Sequence, residues 1–261
     1  MKKKLIIVTV IVLLVATLSH ADDFVLSDNE QLNVTTDYDN VYLWDYSTVT
    51  ISQNGYVCVT YVNDTATLNI IDCTQEWSMA IYSYNDSTVN INSGNINSMT
   101  MLDNSVVDIS GGCVDYLQVG NSSSAYISGG NIINLVSGYG DSVINISGGN
   151  IENILANNGI ITIAGYSFHA TAGLSVVDDQ LIGTGILTGK WLNQTKSWSI
   201  WIGLNDSMAT IQLVSDPAKP RCGDVNHPYP PMDFDHDCIV NFTDFALFMS
   251  HWLDCTSPDC I

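Results

Sequence analysis

Residues 233–244 read Asp-Phe-Asp-His-Asp-Cys-Ile-Val-Asn-Phe-Thr-Asp and put an oxygen-bearing side chain at positions 1, 3, 5, 9 and 12 of a twelve-residue segment. Calcium takes roughly six to eight hard oxygen ligands, and a loop of this length can wrap them around one ion. On that reading Asp233, Asp235 and Asp237 each supply a carboxylate and Ile239 its backbone carbonyl. Asn241 makes a direct or water-bridged contact, Asp244 closes the loop, and Val240 packs inward. Two positions depart from the usual pattern. Cys238 stands where a glycine normally relieves a left-handed backbone, at a cost of about 1–2 kcal/mol. Asp244 is one methylene shorter than the usual glutamate. Zinc is the competing reading, through Cys222, Cys238, Cys255 and Cys260 with His227, His236 or His251, but the spacing is irregular and the carboxylates suit calcium better.

The elements that must position this loop are asymmetric. Downstream, Phe242, Phe245, Phe248, Met249 and Trp252 recur at helical spacing and predict a helix from about Phe242 to Leu253. Upstream, Pro228, Pro230 and Pro231 forbid an incoming helix. The segment is a loop followed by a helix. It resembles a type I dockerin repeat of the kind found in planctomycete-type secreted proteins. The matching residues are Cys-Gly-Asp-Val-Asn at 222–226, Asp-Phe-Asp-His-Asp at 233–237, Val-Asn at 240–241, Thr-Asp at 243–244 and the Phe-Ala-Leu-Phe helix. A dockerin has two calcium loops; here the first copy is reduced to Asp224, Val225, Asn226 and a proline-rich run. The resemblance implies calcium as cofactor and a cohesin-like or cell-surface partner.

The N-terminus reads as an export signal: Lys2, Lys3 and Lys4, then an apolar stretch from Leu5 to Leu18, then Ser19-His20-Ala21 as a cleavage site. That stretch is short for a membrane span, and no other apolar run approaches that length, so no span is expected after cleavage. Removing the signal leaves four basic residues against 27 acidic ones, a net charge of about −23. Such a surface repels nucleic acid and anionic lipid. In an exported chain, Cys222, Cys238, Cys255 and Cys260 are expected to form disulfides that staple a segment too small to bury much of a core; four cysteines allow three pairings and the sequence does not choose. Cys58, Cys73 and Cys113 read as small apolar residues of a sheet, with at most one bridge.

The middle of the chain is repetitive. Short alternating strands ending in Ile91, Ile109, Ile127 and Ile146 are each followed by a glycine turn at Gly94, Gly112, Gly130 and Gly149. A second apolar segment then carries Ile96, Val114, Ile132 and Ile151, with Met99, Leu117, Leu135 and Ile154 three residues on. Weaker copies lie at Ile51, Ile70 and Ile163. Alternation of period two means strands, and a fixed period of about 18 residues means stacked coils. The fold expected is mainly β: a right-handed parallel β-helix, or solenoid, with a small C-terminal module containing the helix. A left-handed β-helix ranks second, because the apolar positions do not recur every six residues. Asn95, Cys113, Asn131 and Asn150 form a further column able to bond up the stack. The repeat style resembles parallel β-helix proteins of the pectate-lyase-like or adhesin kind.

The expected organisation is a signal peptide (1–21), solenoid repeats with an irregular N-terminal cap (22–165), a C-terminal β cap of hairpin strands (166–215), a linker (216–221) and the calcium module (222–261). Within the cap, Trp191, Trp198 and Trp201 are read as core residues; if Trp198, Ile200 and Ile202 face inward, Trp201 faces outward and is available to stack on a sugar. Catalysis is not expected. No basic residue lies between Ala21 and Lys190 to serve as the base of a lyase, and Asn90, Asp108, Tyr126 and Asn145 form no acidic column. Asp178-Asp179 and His169 are isolated. The leading expectation is a secreted, non-catalytic extracellular or cell-surface solenoid, structural or adhesin-like, attached through its calcium module. The alternative is a polysaccharide-binding or polysaccharide-degrading component.

Overall fold

The computed structural model describes residues 23–52, 55–71, 79–137, 140–171, 173–192, 194, 196–204, 209–215, 231–234 and 240–254, with side chains through Ser250 in the last stretch. The strands are β1 (Phe24–Leu26), β2 (Gln31–Val34), β3 (Asp37–Leu43), β4 (Thr48–Ser52), β5 (Tyr56–Val62), β6 (Thr67–Ile71), β7 (Met79–Ser83), β8 (Thr88–Ile91), β9 (Asn95–Met101), β10 (Val106–Ile109) and β11 (Cys113–Val119). They continue as β12 (Ser124–Ile127), β13 (Asn131–Ser137), β14 (Val143–Ile146), β15 (Asn150–Ala156), β16 (Ile160–Thr171), β17 (Leu174–Val177), β18 (Gln180–Gly183), β19 (Gly185–Trp191), β20 (Ser197–Leu204) and β21 (Thr210–Ser215), before a helix, α1 (Phe242–Asp254).

The chain is mainly β, and its strands wind into a parallel solenoid. Through β16 each strand pairs in parallel with the one two places later, so β1-β3-β5-β7-β9-β11-β13-β15 form one ladder and β2-β4-β6-β8-β10-β12-β14-β16 the other. The sequence anchors fall into register: Ile51, Ile70, Ile91, Ile109, Ile127, Ile146 and Ile163 stand in one column. Ile96, Val114, Ile132 and Ile151 form another, and Met99, Leu117, Leu135 and Ile154 a third. All are essentially inaccessible to solvent. Burying one such side chain against its own coil and the coils above and below contributes about 1.5–3 kcal/mol.

Two corners hold the coils at their tight radius, by different means. At the first, Gly94, Gly112, Gly130 and Gly149 adopt φ between 79° and 91°, in the left-handed region. The preceding Gly111, Gly129 and Gly148 are needed for another reason: a Cβ on any of them would stand 2.1 Å from a carbonyl oxygen of the coil before, on Asn92, Ser110 and Ser128. At the second corner the left-handed residue is Asp or Asn in six successive coils, Asp28, Asp45, Asp64, Asn85, Asp103 and Asn121, with φ from 54° to 59°, before Gly140 takes the place above Asn121. Short polar side chains tolerate that conformation because they bond locally. Here they bond between coils: Asn85 Nδ2 donates to Asp64 (3.1 Å) and Asn121 Nδ2 to Asp103 (3.2 Å). Sequence periodicity pointed to the glycine corner and overlooked this one.

The expected asparagine column is present. Asn150 Nδ2 donates to Asn131 Oδ1 at 2.6 Å, and Asn131 Nδ2 reaches the Cys113 sulfur at 3.5 Å. Cys58 and Cys113 are free thiols; Cys73 lies outside the described residues. On the outer face Tyr42, Tyr61 and Tyr82 stack with centroids 4.9 and 5.4 Å apart. Such contacts contribute about 0.5–1.5 kcal/mol each beyond burial. Tyr61→Ala breaks both at once and is expected to lower stability by about 2 kcal/mol, read from the urea midpoint, whereas Tyr42→Ala breaks one and costs about half as much.

Two expectations are corrected. The N-terminal coil is regular rather than an irregular cap: β1 pairs with β3 and β2 with β4 in the same parallel register as later coils, because alternation at Leu32 and Val34 suffices even without a Gly-Gly corner. At the far end the hairpin strands do not simply close the stack. β16 runs on past Gly165 and turns antiparallel to β19, β19 pairs antiparallel with β20, and β17 and β18 form a separate hairpin. After this excursion β20 rejoins the odd ladder beside β15, and β21 the even ladder beside β16, adding further parallel rungs.

Candidate functional site

The C-terminal loop is described at its two ends. Asp235, Asp237 and Ile239 lie outside the described residues, as do Cys222, Cys238, Cys255 and Cys260; Asp233, Asn241 and Asp244 lie within them. Asp233 and Asp244, the first and last positions of the loop, are both buried, at 5% and 1% exposure. The Asp244 carboxylate joins the loop to the helix: Oδ1 accepts from the Phe234 amide at 2.7 Å and Oδ2 from the Asn241 amide at 2.7 Å. Asn241 in turn caps the helix, its Oδ1 accepting from the Thr243 amide at 2.7 Å. The pair is a variant of the capping box: Asp244, three residues on, bonds back to the Asn241 amide, while the Asn241 oxygen takes the second amide of the helix rather than the third, and the acid also suits the positive end of the helix. The Phe234 ring meets Phe248 at 5.5 Å and packs the loop start on the helix.

Part of the apolar surface of the helix faces solvent. Phe242 is 88% exposed, Phe245 55% and Met249 40%. At spacings of three and four they form one stripe facing solvent.

A second site lies on the outer face of the odd ladder. The register sets Tyr116 beside Asn134, Asn134 beside Asn153 and Asn153 beside Trp201, and in the next column Val136 beside Leu155 and Leu155 beside Gly203. Tyr116, Asn134, Val136, Asn153, Leu155 and Trp201, with Leu135, line a cavity of about 670 Å³. Trp201 is 40% exposed and Tyr116 38%, whereas Trp191 and Trp198 are buried against each other, centroids 4.7 Å apart. The alternation argument for an outward Trp201 therefore holds, and the reading of all three tryptophans as core does not. Gly203 makes room for the indole: a Cβ there would stand 2.6 Å from the Trp201 ring. No family model, curated protein or solved structure matches the chain.

The residues weighed for catalysis fall elsewhere. Asp178 and Asp179 both adopt positive φ, 50° and 60°, at the tip of the β17–β18 hairpin. That is the backbone of a type I′ turn, which accounts for the acidic pair by conformation. His169 lies on β16 opposite Thr188, whose hydroxyl donates to the His169 carbonyl. Asn90, Asp108, Tyr126 and Asn145 stand in one column as expected. Among the described residues no group of three or more His, Cys, Asp or Glu side chains is placed to hold a metal. Sequence reasoning missed Tyr116, Asn134 and Asn153 as companions of Trp201. The 18-residue period already aligned Tyr116 with Asn134, but Trp201 joins that column only because β20 returns to the ladder after a forty-residue detour, which no repeat announces.

Proposed function

We propose that this chain is an exported, non-catalytic solenoid of the extracellular space or cell surface, structural or adhesin-like, attached through a calcium-binding C-terminal segment. The observation that carries the reading is the helix start: Asp244 ties the loop to α1, and α1 holds Phe242, Phe245 and Met249 out to solvent. An apolar stripe left exposed on an ordered helix marks a contact surface for another protein, here a cohesin-like or cell-surface partner. Calcium held by Asp233, Asp235, Asp237, Ile239, Asn241 and Asp244 orders the loop and thereby fixes the stripe. Cys222, Cys238, Cys255 and Cys260 staple the same segment as disulfides. The solenoid is a right-handed β-helix with coils of about 18 residues. The contacts from Asn85 to Asp103 and from Asp103 to Asn121, each spanning 18 positions, support that length. The general handedness of parallel crossovers supports the hand.

Calorimetric titration of the full chain with calcium tests this. One ion per chain is expected, with Asp235→Ala and Asp237→Ala each weakening uptake at least ten-fold; absence of uptake sinks the calcium module. The attachment surface is tested by Phe242→Asp with Phe245→Asp. This double variant is expected to keep calcium uptake while losing retention on the cell envelope, and retention equal to wild type removes the helix as the contact.

A further inference from the structure

We infer that the outer groove between Tyr116 and Trp201 binds a neutral polysaccharide chain lying along the stack, across the strands. The inference rests on the export of the solenoid in the function proposed above, and gives that solenoid a ligand. Five features carry it. The groove has an aromatic ring at each end of one column, Tyr116 and Trp201, both more than a third exposed. A ring of this kind offers an apolar face to the C–H face of a sugar and a polar edge to its hydroxyls. Between them lie Asn134 and Asn153, whose amides donate and accept in one plane, as hydroxyl pairs require. Asn153 Nδ2 donates back to the preceding coil, to the Ile133 carbonyl (3.1 Å) and to Asn134 Oδ1 (3.4 Å). The rungs are thus held in place before a ligand arrives.

The dimensions agree. Three strand steps separate Tyr116 from Trp201, about 14 Å at the usual strand spacing. One strand step is close to the length of one pyranose unit, so a chain of four sugars lays one unit over each of Tyr116, Asn134, Asn153 and Trp201.

The charge agrees too. Tyr116, Asn134, Val136, Asn153, Leu155 and Trp201 carry no formal charge at neutral pH, while Asp115 and Glu152 are exposed on the adjoining strand positions. An acidic flank on a strongly acidic chain rejects uronic-acid and sulfated glycans and leaves uncharged ones. Finally, Gly203 is a seat for the platform. Only flexible side-chain ends, Trp201 and Leu155, come within 3.0 Å of a Cβ at this position. The missing side chain therefore serves the posture of the indole rather than the backbone.

Affinity electrophoresis of the full chain through gels containing hydroxyethylcellulose or galactomannan tests the inference, with polygalacturonate as the anionic control and calcium uptake measured on the same preparations. Retardation by at least one neutral polymer and none by polygalacturonate is expected. Trp201→Ala and Tyr116→Ala are each expected to weaken it at least ten-fold. Gly203→Ala is expected to weaken it about five-fold by lifting the indole, with an unchanged urea midpoint showing that the fold is intact. Migration unaffected by both neutral polymers overturns the inference, as does retardation that survives both aromatic substitutions, or retardation by polygalacturonate alone. Loss of glycan binding with calcium uptake and envelope retention intact leaves the proposed function standing, so the two fail separately.

Discussion

Asp244→Ala is expected to melt the C-terminal helix even without calcium. Both oxygens of this buried carboxylate accept backbone amides, from Phe234 and from Asn241. Hydrogen bonds to a charged group are worth about 1.5–3 kcal/mol each, so the substitution removes about 3 kcal/mol or more. A helix of 13 residues has no such reserve, because helices shorter than about 12–15 residues are marginal in water. Far-ultraviolet circular dichroism of the full chain reads the effect as loss of the helical contribution over an unchanged sheet signal. Asp244→Asn keeps one acceptor oxygen and is expected to lie between. Asp235→Ala is expected to lower calcium affinity while leaving the calcium-free spectrum unaltered. Equal helix content in wild type and Asp244→Ala contradicts the account.

Gly129→Ala is the second large effect. The added methyl carbon would stand 2.1 Å from the Ser110 carbonyl oxygen, a backbone atom of the coil before, which cannot swing away as a side chain does. A loss of about 3 kcal/mol is expected, at the upper end of the overpacking range. Its neighbour provides the comparison. Gly130→Ala meets a left-handed backbone, φ 82°, and the Gly111 carbonyl oxygen at 2.9 Å rather than 2.1 Å, and is expected to lose less, about 1–2 kcal/mol. Because each coil touches only its neighbours, the damage stays local and cooperativity breaks at the injured rung. Urea unfolding of Gly129→Ala is expected to resolve into two transitions, one for each side of the break, whereas wild type shows one. A single transition with an unchanged midpoint contradicts the packing argument.

What could be read in the chain beforehand follows from how each contact is encoded. The core columns were legible because Ile91, Ile109, Ile127 and Ile146 repeat both a residue type and an interval, and the glycine corner because Gly112, Gly130 and Gly149 repeat an identity. The opposite corner was not legible, although it is equally regular. Its requirement is a backbone angle that Asp and Asn both satisfy, and the residue type varies down the column from Asp64 to Asn85 to Asp103. The return of β20 beside β15 was hidden for another reason: pairing after a long detour depends on how β16 and β19 turn, and no local spacing reports it. The outward face of Trp201 was readable by alternation, but its partners were readable only once that return was known. At the C-terminus, Asp244 was assigned to cation closure, while its second task as reciprocal cap follows from an Asn-x-x-Asp spacing that was present in the sequence.

The equal register of neighbouring coils makes the length of this protein a quantity that can be counted. Val106 stands beside Thr88 on one side and Ser124 on the other, and Ser105 precedes Val106 as Ser123 precedes Ser124. A chain lacking residues 106–123 joins Ser105 directly to Ser124, meets the same two corners, and is shorter by one rung, about 4.8 Å. In-frame duplication of that stretch lengthens it by the same step. Inheritance can therefore adjust the reach of such a molecule in whole units, leaving both ends untouched, in the way a ruler is cut at its marks.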